Sequence, residues 1–201
     1  MDLIYELKDA LPKEICNIII ERYKKDSNKQ PSKVGFEGVV NENVRKSTVL
    51  PFSGLHEWKD VDTIIYDVIN RGINKYIEHV KYVLSKNVTD GSILVNESVS
   101  KYFENISDEG YFIQEYTMGG FYNWHIDSMK SKAKPRTLSF VLYLNTLEPD
   151  EGGCTDFVLG NSIIPEAGKL LIFPSDWTYV HRSAVVKKPV SKYTIGTWAS
   201  V

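Results

Sequence analysis

Two histidines and one aspartate in the second half of the chain have the residue types and spacing of a metal site. His125 and Asp127 stand two positions apart, and His181 follows an apolar run at residues 170–173. In an extended strand, residues i and i+2 point to the same side, so the imidazole and the carboxylate can reach one point. Two histidines and one carboxylate leave coordination positions open and are typical of non-haem Fe(II) sites. The same ligands with a bound water would also suit zinc.

A longer ordered pattern surrounds these three residues. Residues 116–127 closely resemble the strand and turn that lead into the iron ligands of 2-oxoglutarate-dependent dioxygenases of the prolyl 4-hydroxylase type. The resemblance covers residues 111–199, and its other elements follow in the family's order: Arg136, residues 143–145, Gly152 and Gly153, residues 155–157, Pro165, Gly168, residues 170–173, His181, Lys192 with Tyr193, and Trp198. The ordered set is more specific than any one motif within it.

The resemblance implies a hydroxylase. It assigns His125, Asp127 and His181 as catalytic Fe(II) ligands. It also implies 2-oxoglutarate and O2 as cosubstrates, succinate and CO2 as co-products, and ascorbate as a candidate reductant. Two alternatives stay open at this point. One is a zinc-dependent hydrolase, whose activity would not depend on 2-oxoglutarate, and the other is a jelly-roll module that binds metal without turnover.

A lysine is expected to bind the distal carboxylate of 2-oxoglutarate. In the family a basic residue follows the distal histidine, and Lys192 fits, although its separation from His181 is one residue longer than usual. Lys187 and Lys188 are therefore alternatives, but strand alternation puts Lys192 on the same face as Trp198. We predict Lys192 as the anchor, with neighbours that hydrogen-bond to the cosubstrate or pack against it: Tyr116, Tyr143, Thr155 and Trp198.

The substrate is the least determined part. A peptidyl proline, or another peptide or amino-acid C–H bond, is the leading hypothesis, within a wider class of peptide, protein or small-molecule substrates. Aromatic residues near the ligands are candidates for the substrate wall: Tyr122, Trp124 and Tyr179. A basic stretch ending at Arg136, with Lys130, Lys132 and Lys134, could form a solvated surface or contact an anionic substrate. Residues 41–47 could close over the site as a lid or form a solvated loop.

Composition narrows the function classes. The 201-residue chain has 24 lysines and arginines against 26 acidic residues, so it lacks the global positive field that makes nucleic acid a common partner. Two cysteines are too few for a disulfide scaffold or a four-thiolate metal site. No signal peptide or membrane-spanning apolar run is visible, which suggests a cytoplasmic protein with no membrane partner. No feature indicates an oligomeric state.

Hydrophobic periodicity predicts one α+β domain. Helical spacing favours a helix from Pro12 to near Asp26 and a longer helix capped by Asp60. Beyond about residue 90 the period changes to two, which favours strands. In residues 137–145, apolar side chains on one face should pack under the helices, and the mixed face should line a polar interior. We therefore predict helical support in residues 1–90 and a double-stranded β-helix (jelly-roll) core in residues 91–201.

Overall fold

The computed structural model describes residues 3–35, 38–86, 92–128 and 134–201. Three α-helices lie in the first half of this part of the chain: α1 (Lys13–Lys25), α2 (Lys59–Ser85) and α3 (Ser92–Tyr102). Four short strands interleave with them: β1 (Tyr5–Leu7), β2 (Gln30–Pro31), β3 (Arg45–Lys46) and β4 (Thr48–Pro51). The other strands follow: β5 (Ser107–Asp108), β6 (Phe112–Tyr116), β7 (Phe121–His125), β8 (Leu138–Tyr143), β9 (Thr155–Phe157), β10 (Ser162–Ile163), β11 (Leu170–Pro174), β12 (His181–Ser183) and β13 (Lys192–Ser200).

The strands form two antiparallel sheets. The larger sheet has the order β1-β11-β8-β13-β6-β4-β2, and β5 also pairs with β13. The smaller sheet has the order β10-β9-β12-β7-β3. Apolar residues dominate β8 and β11, and nearly all positions of β8, β11 and β13 are buried, as is typical of strands covered on both faces. The two sheets bring residues far apart in sequence to one interior.

The helices cover one face of the larger sheet. The alternate apolar residues of β8 and its C-terminal extension, Leu138, Phe140, Leu142 and Leu144, are buried in one cluster with the apolar stripes of α1 and α2. Helix α2 approaches β11 closely at Gly72, where a Cβ atom would lie 2.6 Å from Leu170 Cδ2. This confirms the predicted direction of the two faces of residues 137–145, with the helices on the apolar side.

The structure differs from the sequence predictions at three points. Residues 92–102, which the sequence placed in the β half, form helix α3, and this helix packs against α2. The valines and the isoleucine of this segment favour a strand by local propensity, but tertiary packing overrides that preference. Asp60 is not the N-cap of α2, because the helix begins at Lys59 and Asp60 forms an ion pair with Arg22 instead. The first 90 residues also contribute strands β1 to β4, and are thus more than helical support. A single domain stays a prediction.

Candidate metal centre and adjoining pocket

The smaller sheet brings the three predicted metal ligands together. Strands β7 and β12 are antiparallel neighbours, and His125 lies directly opposite His181. Asp127 follows the end of β7 and its carboxylate oxygens lie 3.5 Å from each histidine: Oδ1 from His125 Nε2 and Oδ2 from His181 Nε2. One ligand atom from each residue lies within 4.8 Å of the others. This is the spacing at which three ligands can share one ion.

Backbone carbonyls orient both imidazoles. His125 Nδ1 lies 2.7 Å from the carbonyl oxygen of Asn123, and His181 Nδ1 lies 3.0 Å from that of Tyr179. A carbonyl can only accept, so each Nδ1 carries the proton and each Nε2 has its lone pair free toward Asp127. Outer partners of this kind fix the tautomer and the ring plane of metal-bound histidines. The donor set therefore fits a divalent transition metal.

The Asp127 carboxylate is held as an anion by its surroundings. Burial alone would raise its pKa, but His181, His125 and the Ser139 hydroxyl favour the charged form and hold the pKa well below the usual range. Ser139 Oγ donates to Asp127 Oδ2 at 2.7 Å, and Ser175 Oγ lies 2.7 Å from Ser139 Oγ. Burial lowers the pKa of His181 to about 4, so its imidazole is neutral at physiological pH. Both groups are thus in the form that binds metal.

A cavity of about 240 Å³ extends from the three ligands between the sheets, and Lys192 lies within it. Lys192 is only 2% exposed, and its Nζ donates to Ser183 Oγ at 3.0 Å between the rings of Tyr116 and Tyr143. Burial lowers the pKa of Lys192 to about 7. Within the described residues Lys192 forms no ion pair, and a buried ammonium without a counter-ion is costly. The site therefore favours an anionic ligand.

The other predicted neighbours of the cosubstrate surround the same region. Tyr116 and Thr155 line the cavity, and Tyr143 is fully buried with its hydroxyl 2.7 Å from Thr155 Oγ1. Trp198 also lines the cavity, but it lies under the guanidinium of Arg136, 3.5 Å from its ring centre. The four residues are thus all placed in or beside the cavity, with Tyr116, Tyr143 and Thr155 grouped near Lys192.

The alternative anchors lie outside the cavity. Lys187 and Lys188 are exposed in the loop before β13. Lys188 forms an ion pair with Asp150 on the surface. Neither lysine contributes to the cavity wall, whereas Lys192 does. The geometry favours Lys192, and its role as the anchor stays a prediction.

The candidate substrate residues divide into two groups. Tyr122 and Arg136 line the cavity, and the Tyr122 ring stacks on His125 at 3.6 Å between ring centres. Trp124 and Tyr179 are not part of the cavity wall: Trp124 packs under the guanidinium of Arg182, and Tyr179 is buried in a second apolar cluster. Of the basic stretch, Lys130 and Lys132 lie outside the described residues, and Lys134 is exposed.

Arg136 has a different set of contacts from the one predicted. Its Nε and Nη2 each donate to Glu109 at 2.8 Å, and its Nη1 donates to the backbone oxygen of Asp127 at 3.2 Å. The guanidinium thus joins the loop of the predicted metal ligand Asp127 to Glu109 in the connection between β5 and β6. The ion pair with Glu109 already neutralises the positive charge that an anionic substrate would bind. The predicted contact between Arg136 and the substrate is therefore not favoured by the structure.

Sequence reasoning missed several residues of this site. Ser139 lies on the mixed face of residues 137–145, for which the sequence predicts a polar interior but no hydrogen bond to Asp127. Ser175 and Ser183 approach the ligands and Lys192 only through strand pairing. The sequence placed Arg45 in residues 41–47, a candidate lid or solvated loop, whereas the structure places it in β3 on the cavity wall. No local motif signals these positions, because each depends on a neighbour distant in sequence.

Comparisons with known proteins agree with this geometry. Residues 111–200 match the 2OG-Fe(II) oxygenase superfamily. A PKHD-type hydroxylase of Synechococcus sp. is 38% identical over 66 residues, which are 31% of this chain and 30% of that protein. The matched segment thus spans under a third of the length of this curated relative.

Solved structures show the same fold along the chain. A viral collagen prolyl hydroxylase from Paramecium Bursaria Chlorella virus-1 has a TM-score of 0.66 at 18% identity, covering 100% of this chain and 97% of that one. A Pseudomonas putida prolyl-4-hydroxylase has a TM-score of 0.63 at 19% identity, over 98% and 92%. A Trichoplax adhaerens prolyl hydroxylase, solved with a hypoxia inducible factor peptide fragment, has a TM-score of 0.66 at 16% identity, over 98% and 83%.

Among the helices of the described ranges, none combines the length and the apolar character needed to span a lipid bilayer.

Proposed function

We propose that this chain, whose residues 111–200 belong to the 2OG-Fe(II) oxygenase superfamily and whose fold is that of prolyl hydroxylases, is an Fe(II)- and 2-oxoglutarate-dependent dioxygenase. It hydroxylates an unactivated C–H bond of a peptide or amino-acid substrate, with proline the leading target. Succinate and CO2 are the co-products. Ascorbate as a reductant stays a prediction.

One observation carries the proposal. A two-histidine, one-carboxylate site and a buried lysine without an ion pair within the described residues line the same cavity. The three ligands leave room for further ligands on one metal ion. The ammonium needs an anion at a fixed distance from that ion. A dicarboxylate that ligates the metal at one end and reaches Lys192 at the other satisfies both demands, whereas hydrolysis at zinc does not require the lysine.

The residues have separate roles in this reaction. His125, Asp127 and His181 would hold Fe(II), which when bound supplies the activation of dioxygen that protein side chains cannot perform. Ser139 orients the Asp127 carboxylate, and Lys192 pairs with the distal carboxylate of 2-oxoglutarate. Tyr116, Tyr143 and Thr155 surround the proposed cosubstrate position near Lys192. Tyr122 lines the side of the cavity proposed for the substrate.

We further propose that the two sheets form a double-stranded β-helix. The pairing order supports this, because consecutive strands β11, β12 and β13 alternate between the larger and the smaller sheet. β8 and β9 alternate in the same way. Such alternation winds the chain around one interior, where the cavity lies.

The test is coupled turnover. Fe(II)-loaded protein with 2-oxoglutarate and pools of proline-containing peptides should form succinate and add one oxygen atom to a peptide, as measured by mass spectrometry. His181→Ala should abolish both signals, since the chain then lacks a metal ligand. Succinate formation that persists unchanged in His181→Ala would contradict the metal assignment. Turnover without 2-oxoglutarate would contradict the dioxygenase.

A further inference from the structure

Arg45 occupies a place next to the metal ligands that the proposed reaction does not use. Strand β3 pairs with β7 so that Arg45 lies opposite Tyr122. The guanidinium lies 4.5 Å from the centre of the Tyr122 ring, and the ring of His125 stacks on the same Tyr122 at 3.6 Å between ring centres. Tyr122 therefore contacts both the cation of Arg45 and a predicted metal ligand. Arg45 lines the same cavity as the three ligands.

Its charge is not neutralised by the protein. The two other arginines of the cavity wall have carboxylate partners: Arg136 pairs with Glu109 and Arg182 with Asp156, at 2.8 and 2.9 Å. Arg45 forms no ion pair within the described residues. Its Nη1 donates to the backbone oxygen of Lys33 at 3.3 Å, and its Nε is buried without a hydrogen-bond partner.

The geometry of the group favours one class of ligand. A guanidinium presents coplanar N–H donors that match the two oxygens of a carboxylate. Because Nε of Arg45 is buried, the terminal Nη groups are the donors left for a ligand. The stack on Tyr122 holds this plane in a defined orientation, which reduces the entropy lost on binding. Lys33, which also lines the cavity and forms no ion pair in the part of the chain described, adds a second positive charge on the same side. The cosubstrate does not need Arg45, because Lys192 already faces its distal carboxylate.

We propose that Arg45 is a specificity-determining residue that binds a carboxylate of the substrate, so the substrate carries a carboxylate near the C–H bond that reacts. This inference rests on the proposed function and names the substrate class of the same site. The carboxylate has two sources to be separated: the α-carboxylate of a free amino acid, or an aspartate or glutamate side chain of a peptide.

The experiment measures binding with turnover excluded. Protein loaded with Mn(II) and 2-oxoglutarate without oxygen is titrated calorimetrically with L-proline and with L-prolinamide. It is also titrated with a proline-containing peptide pool rich in aspartate and glutamate, and with the matched pool that has asparagine and glutamine instead. Tighter binding of L-proline than its amide identifies a free amino acid, and tighter binding of the acidic pool identifies a peptide side chain.

Arg45→Gln should weaken the preferred acid probe by about ten- to a hundredfold, the usual effect of losing a charge-assisted hydrogen bond, and leave its amide partner unchanged. Lys187→Gln removes the same charge from the surface and should change neither. Equal binding of acid and amide probes by the unmodified protein, including no binding of either, would overturn the proposal. So would an Arg45→Gln variant that weakens only 2-oxoglutarate.

A second assay tests the proposed function independently of Arg45. In the same protein loaded with Fe(II) in air, conversion of 2-oxoglutarate to succinate is followed without any probe. Succinate formation with no preference for acid probes rejects Arg45 and leaves the dioxygenase. A preference for acid probes with no succinate under any condition supports the carboxylate site and rejects the dioxygenase.

Discussion

At the scale of single residues, the orientation of Asp127 depends on two serines. The Ser139 hydroxyl donates to Asp127 Oδ2, so Ser175 must donate to Ser139 Oγ, and the two serines together hold the carboxylate in place. Both serine side chains are buried, at 1% exposure. Such partners of a metal ligand are commonly responsible for about ten- to a hundredfold of metal affinity.

We expect Ser139→Ala to weaken Mn(II) binding by about that factor, because the carboxylate loses its fixed rotamer. Ser139→Thr keeps the hydroxyl and should retain most of the affinity. Calorimetric titration of Mn(II) measures both, and Ser100→Ala, at an exposed site in α3, serves as the control. An unchanged affinity in Ser139→Ala would show that β7 and its loop alone fix Asp127.

The buried Lys192 makes cosubstrate binding depend on pH. Its pKa in the free protein is lowered to about 7 by burial, so above pH 7 the folded protein holds the neutral amine. In the proposed pairing 2-oxoglutarate binds the ammonium form, so above that pH it must bind together with a proton. We expect the affinity to fall as pH rises above 7, by at most about tenfold per pH unit.

Titration of Mn(II)-loaded protein with 2-oxoglutarate at a series of pH values from about 6.5 to 8.5 measures this slope. Lys192→Arg is the matched control, since a guanidinium stays charged throughout and its profile should be flat even where its affinity is lower. A flat profile in the unmodified protein would mean that Lys192 is already charged, or that another group binds the carboxylate.

At the scale of elements, the close approach of α2 to the larger sheet depends on one glycine. Gly72 lies in the middle of the helix, where glycine is unfavourable by about 1 kcal/mol relative to alanine. A Cβ atom there would lie 2.6 Å from Leu170 Cδ2 and 3.1 Å from Ile172 Cδ1, both in fully buried residues. The absence of a side chain is what allows the helix to rest on β11.

We expect Gly72→Val to destabilise the fold by about 1–3 kcal/mol, because two further side chains must leave their positions in a packed core. Urea unfolding followed by circular dichroism measures the loss. Asn74→Val, at an exposed position of the same helix, introduces the same residue without the contact and should cost well under 1 kcal/mol. Equal losses in the two variants would show that helix propensity, and not packing on β11, sets the effect.

At the scale of the whole molecule, the site joins the two sheets. His125 and His181 belong to the smaller sheet, whereas Lys192 begins β13 at the centre of the larger one. A ligand that contacts both the metal and Lys192 therefore links the sheets across the cavity. Metal and 2-oxoglutarate should stabilise the fold more together than separately, because each increases the affinity for the other.

We expect Mn(II) and saturating 2-oxoglutarate to raise the melting temperature by more than the sum of their separate shifts. A ligand at about a hundred times its Kd adds about 2.7 kcal/mol, which corresponds to several degrees for a chain of this size. Differential scanning calorimetry measures the four conditions. In Lys192→Met the excess should decrease at the same 2-oxoglutarate concentration, because the cosubstrate binds more weakly, while the shift with Mn(II) alone persists. Additive shifts in the unmodified protein would indicate two independent sites.

The sequence by itself determined the features that depend on neighbours along the chain. The two faces of residues 137–145 and the helices α1 and α2 follow from local periodicity, because the geometry of a single strand or helix fixes which side chains share a side. The spacing of His125 and Asp127 also indicated a shared site, although Asp127 lies just beyond the end of β7. The ordered motifs indicated a 2-oxoglutarate-dependent dioxygenase, in agreement with the match of residues 111–200 to the 2OG-Fe(II) oxygenase superfamily.

Only the tertiary structure decided which distant residues join that pair. His125 pairs with His181, and Tyr122 pairs with Ser183, so two residues of β7 face the single residue Arg182 of β12. At this bulge Tyr122 lines the cavity, whereas Trp124 packs against Arg182 outside it. Simple alternation would have put the two aromatic rings on one face. Strand register and bulges depend on side-chain burial between strands, a property of the assembled sheets that no local pattern contains.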